Sequence, residues 1–122
     1  MDKAQALYTF WSSFGLLAYD QYTVPDSANM PYITYETQTG SFDDTPKQLT
    51  ASLWYRSSSW AGIEAMKEAI YTHIGRGGVQ IPYTNGTIWI KRGDNFAQRM
   101  NDDTDDMIRR YVLQIEVEYT SD

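Results

Sequence analysis

Leu7, Phe10, Trp11, Phe14, Leu17 and Ala18 recur three or four positions apart. This spacing places them on one helix face and predicts an amphipathic helix from Asp2 to about Tyr19, with Asp2 as its N-cap. "QYTVPDSANMP" follows, with two prolines among turn formers, and reads as a loop. "YITYETQ" is β-branched and aromatic, with Ile33, Tyr35 and Thr37 on one face, and predicts a strand. The Gly- and Asp-rich "TGSFDDTPK" links it to the next one, where Leu49, Ala51, Leu53 and Tyr55 alternate with Thr50, Ser52, Trp54 and Arg56.

The period then changes inside "LWYRSSSWAGIEAMKEAI". After the serines, Ile63, Met66, Ile70 and Ile74 form one helical stripe, with Glu64 near its start and Gly75 placed to stop it. "GRGGVQIPYTNGTIWIKRGD" predicts a short extended piece, a turn at Asn85–Gly86 and a strand over 87–91. The polar run "GDNFAQRMNDDTDDM" interrupts the pattern. Beyond it Arg109, Tyr111, Leu113, Ile115, Val117 and Tyr119 alternate with Val112, Gln114, Glu116 and Glu118, which predicts one buried and one wet face. The order predicts one α+β domain over residues 1–122. It is expected to hold an antiparallel sheet of about four strands and two helices, the N-terminal one and one between strands, as a single layer pair.

A chain of 122 residues supports one core. Its apolar fraction of 42% is ordinary, whereas 10 Tyr and 4 Trp exceed what a small core needs and suit contact surfaces. The net charge of −6 is evenly spread: residues 1–61 carry 3 basic and 6 acidic groups, residues 62–122 carry 7 and 10, so each half stands at −3. An acidic surface repels phosphate backbones and argues against gripping nucleic acid. With no cysteine there is no disulfide framework and no thiolate metal site, which fits a reducing cytoplasm. The N-terminus lacks the pattern of a signal peptide, and no apolar run approaches the ~20 residues of a membrane span.

Catalytic signatures are missing. His73 is the only histidine and stands near a predicted helix end, where helix-dipole compensation explains it better than catalysis does. Ser57, Ser58 and Ser59 sit where a helix needs its N-cap, without a G-x-S-x-G elbow. "GRGG" follows a helix and lacks the Lys-Ser/Thr ending of a phosphate loop. "NDDTDD", with Asp102, Asp103, Asp105 and Asp106, is dense in carboxylates but lacks calcium-loop spacing. Neither a cofactor nor a metal site is expected, and no enzymatic activity. Trp54, Arg56, Trp89 and Lys91 are more informative, since their positions point away from the apolar faces of their strands. They read either as a face covered by the N-terminal helix or by a neighbouring subunit or partner, or as a sugar-stacking platform like that of a carbohydrate-binding module.

The element order, the phrase "PYITYE" (Pro31 to Glu36), and the strand leading into "SSSWAGIEAMKEAI" together resemble the tail terminator family. These are tail completion, or neck, proteins of long-tailed bacteriophages. Head–tail connectors and minor capsid proteins are similar at this level. The resemblance implies a subunit that forms a ring, commonly a hexamer, on the end of the tail tube. It implies tube protein and a head completion or connector protein as partners, with DNA passing through the lumen unbound. The place implied is the tail or neck of a virion assembled in the bacterial cytoplasm. Asp102, Asp103, Asp105 and Asp106 would then face the channel or be a solvated loop.

Overall fold

The computed structural model of the protein describes residues 2–37, 47–84, 86–100 and 105–121. Its elements run α1 (Lys3–Ser12), β1 (Leu17–Asp20), β2 (Tyr32–Tyr35), β3 (Lys47–Arg56), α2 (Ala61–Ile74), β4 (Val79–Tyr83), β5 (Gly86–Met100) and β6 (Ile108–Ser121). The four-stranded antiparallel sheet expected from the sequence is incorrect. Six strands form one mixed sheet in the order β1-β2-β3-β6-β5-β4, curled into a half-barrel. β1 and β2 are parallel, and every other pairing is antiparallel.

Two stretches account for the difference. The N-terminal helix stops at Ser12 instead of about Tyr19. Gly15, at φ 86, takes a left-handed conformation that L side chains avoid, and the chain re-enters as β1. Ala18 is buried from a strand, while Leu17 is 62% exposed. Their helix-like spacing from Phe14 is therefore coincidental. The second stretch is Gly93–Met100, which continues β5 through the polar run. The register shifts between Arg92, opposite Ile115, and Ala97, opposite Leu113. That irregularity breaks the alternation by which a strand is read.

Other local expectations hold. Asp2 caps α1 in a reciprocal box with Gln5: the Gln5 N–H donates to the Asp2 carboxylate at 2.8 Å, and the Asp2 N–H donates to the Gln5 side chain at 3.0 Å. Gly75, at φ 69, ends α2, and its N–H donates to the Tyr71 carbonyl. The serines act one step earlier than expected, because Trp60 occupies the N-cap position and makes no capping bond. Instead the Ser59 hydroxyl accepts from the Ala61 N–H, and the Ser57 hydroxyl accepts from the Ser59 N–H, each at 3.0 Å. Asn85 lies outside the described residues. The flanking strands form the expected hairpin, with Tyr83 opposite Gly86.

Both helices lie on one face of the sheet. α1 buries Ala6, Leu7, Phe10 and Trp11, and α2 buries Ile63, Ile70 and Ile74. They meet Ile33, Leu53, Ile88, Ile90, Leu113, Ile115 and Val117 in one core. Each large apolar side chain removed from water there stabilises the fold by about 1.5–3 kcal/mol. α2 lies over β3, β5 and β6, whereas α1 touches β1 and β4, the two edges of the sheet. The sheet therefore curls toward the helices, and α1 spans its opening.

The register irregularity in β5 serves this packing. It delivers Phe96 to a ring contact with Tyr71, centroids 5.3 Å apart. Beside it Arg92 donates from Nε and Nη2 to the Tyr71 carbonyl, at 3.0 and 2.8 Å, and lies 3.4 Å from the Tyr71 ring centroid. One bent strand thus fixes the last turns of α2.

Candidate functional site

With both helices on the core face, no described element covers the other side of the sheet. Pairing registers place Leu17, Tyr32, Trp54, Arg110 and Met100 in one row across five adjacent strands of this outer face. Leu17 is 62% exposed and Met100 37%. The Trp54 indole N–H donates to the Thr34 hydroxyl at 2.9 Å, and the Arg110 guanidinium stands 4.4 Å from the Trp54 ring centroid. Arg110 also donates to the Ser52 hydroxyl at 3.1 Å. Tyr19, Tyr32 and Trp54 continue as neighbouring rings, 5.7 and 6.4 Å apart and steeply inclined to one another.

The far end of the same face holds the second predicted pair. The Trp89 indole N–H donates to the Gly77 carbonyl at 2.7 Å. Lys91 stands 4.2 Å from the Trp89 ring centroid and 3.4 Å from the Glu118 carboxylate. Trp54 lies opposite Arg110 and Trp89 opposite Glu118 on β6. Eight residues of strand separate the two tryptophans by about 26 Å. Trp54, Arg56, Trp89 and Lys91 thus share a face without sharing a site. Each tryptophan already has a cation over its ring, and the nearest aromatic rings do not form an open plane. This geometry counts against a sugar platform.

Arg56 links the two predicted groups, since its Nη1 lies 2.6 Å from the Asp105 carboxylate. The Asp106 carbonyl accepts from Arg109. Asp102 and Asp103 lie outside the described residues. Among the described residues no group of three His, Asp or Glu side chains could hold a metal, and no helix is long and apolar enough to cross a membrane. His73 packs against the Phe14 ring at the end of α2. Ser57 and Ser59 lie at its other end, a helix length of about 20 Å away, so no Ser–His pair forms.

Sequence reasoning missed the polar knot on the core side of the β3–α2 link. Glu64, in the first turn of α2, accepts hydrogen bonds from the buried Tyr111 hydroxyl and from Arg99 Nη2, the latter at 2.6 Å. Lys67 lies 3.3 Å from the same carboxylate. The Tyr111 bond first, then Arg99 and Lys67, hold the Glu64 carboxyl down at about 2. Trp60 lies beneath this knot, with Arg99 and Arg109 4.4 and 5.4 Å from its ring centroid and Tyr111 edge-on at 5.8 Å. It is a structural anchor, whereas Trp54, six residues earlier, belongs to the outer face. Glu64 was visible only as a helix-start acid, because its partners lie 35 and 47 positions away.

Neither a family profile nor a curated protein sequence matches the chain. Among solved structures, a chain of a virion of a native gene transfer agent particle shares the fold. The TM-score is 0.67 at 15% identity, over 94% of this chain and 92% of that one.

Proposed function

We propose that the protein is a structural virion component of the bacteriophage type, without enzymatic activity, and that it acts as a ring-forming tail terminator. The observation that carries this reading is the fold shared with the gene transfer agent virion chain along nearly the whole of both chains. The outer sheet face supports it, since it combines exposed apolar side chains with a row of rings and guanidinium groups. Aromatic residues and arginine dominate the binding energy of protein interfaces.

In this reading, copies repeat around an axis through one heterologous contact until the ring, a hexamer, closes. The ring sits on the last ring of tube protein and covers the surface to which another would add, so the tube stops growing by occlusion. Its far side receives the head completion or connector protein, and DNA crosses the lumen unbound. The place of action is the tail or neck of a virion assembled in the bacterial cytoplasm. Asp105 is neutralised in part by Arg56, so repulsion of DNA from this loop would rest on its other carboxylates.

Deleting the gene tests the assignment directly. Electron microscopy should show filled heads separate from tubes of irregular, excessive length. Tails of normal length left unjoined would reassign the protein as a head–tail connector. Normal tails already joined to heads would remove it from the neck altogether.

A further inference from the structure

β6 is the central strand of the exposed face, and its outer positions read Arg110, Val112, Gln114, Glu116 and Glu118. Charge is therefore polarised along the strand: cationic at one end, apolar and neutral in the middle, acidic at the other. Arg56, two residues from Trp54 on the same face, is already paired with Asp105 at 2.6 Å, so the cationic end rests on Arg110. At the acidic end Lys91 is engaged with Glu118, and the Glu116 carboxylate has no partner among the described residues. Two such faces brought together with their β6 strands antiparallel match charge at both ends at once. In the parallel arrangement, Arg110 would meet Arg110 and Glu116 would meet Glu116.

We propose that this outer face pairs with the same face of a second copy about a two-fold axis that lies between the two faces, perpendicular to β6 and level with Leu113, so that Arg110 of each copy meets Glu116 of the other. Because the sheet curls toward its helices, the contact falls on the central strands β3, β6 and β5. Val112 then lies opposite Gln114 of the second copy, and Trp54 opposite its Gln48. Complementary charge of this kind selects partner and register more than it adds affinity. The pairing goes beyond the ring reading. A ring contact is heterologous and repeats, while this one is isologous and closes at two. It gives a free dimer that separates before the ring docks between tube and connector.

Charge exchange tests the pairing. Within one chain Arg110 and Glu116 are separated by about 20 Å of strand, so they cannot compensate each other internally. Arg110→Glu sets two like-charged contacts across the axis, and so does Glu116→Arg. Sedimentation equilibrium and native mass spectrometry should show self-association weakened at least tenfold in each, and more at low salt than at high salt. An equimolar mixture of the two variants restores both contacts and should return a dimer holding one chain of each, as should the double variant by itself. Glu116→Arg breaks no hydrogen bond or ion pair among the described residues but sets a cation opposite Lys91 on β5, and Arg110 stacks on Trp54, so a thermal melt of each variant by circular dichroism accompanies the association measurement. A wild-type protein that does not self-associate would overturn the pairing, as would unchanged association in either single variant. Loss in both without rescue on mixing would also overturn it. None of these results bears on tail length in the deletion strain, so the ring reading stands or falls separately.

Discussion

Glu64 is where single-residue chemistry most affects stability. Its folded pKa of about 2 lies below the ordinary 4.5, so the native state holds the carboxylate ionised while the unfolded chain takes up a proton. The stabilisation is fully present above about pH 4.5 and drains away as pH falls toward 2. Glu64→Gln should cost about 1–2 kcal/mol at neutral pH, a figure reduced for the partial exposure of the site. Thermal melts from pH 7 to 2.5 check this: the wild-type midpoint should fall more steeply below pH 4.5 than that of the variant. An equal slope in both would mean that another carboxylate carries the acid sensitivity. Little of this was legible beforehand. Alternation placed Tyr111 and Arg109 on one face, but nothing local announces that Glu64, Arg99 and Tyr111 converge. That depends on which strands neighbour β6.

At the scale of elements, the parts read best were those whose period is unbroken. β6 alternates without interruption because one side meets two helices and the other none, and α2 shows its stripe for the same reason. β1 was misread because Phe14, Leu17 and Ala18 imitate helical spacing across a glycine break. The second half of β5 was missed because its register irregularity puts alternation out of phase. Two substitutions probe these elements. Ile115, 1% exposed, faces the core, so Ile115→Asp should cost several kcal/mol against a total stability of about 5–15. Circular dichroism should find that variant unfolded or aggregated, and a cooperative melt near the wild-type midpoint would contradict the register. Gly93 sits in the irregular stretch, where an added Cβ would stand 2.9 Å from the Gln114 carbonyl oxygen. Gly93→Ala should therefore destabilise by about 1–3 kcal/mol, read as a lower urea midpoint with an unchanged slope.

For the whole molecule, the decisive arrangement is α1 across both sheet edges. Trp11, 1% exposed, anchors it, and Trp11→Ala should cost about 3–5 kcal/mol. Loosening α1 also uncovers the approaches to β1 and β4, whose unpaired edges template aggregation. Light scattering during a slow thermal ramp should rise earlier in Trp11→Ala than in an equally destabilised variant of α2. The two helices were legible from their apolar stripes, whereas the expected single layer pair gave way to a curled half-barrel. The strand order was not legible, since alternation is silent about neighbours. That order sets a timetable for synthesis. The strand that joins β1-β2-β3 to β5-β4 is β6, the last of the six to leave the ribosome. Until it emerges, a nascent chain holds two unconnected half-sheets and no complete core for its helices. A chain broken off early cannot form the outer face, so the contacts proposed for that face are open only to chains that carry β6.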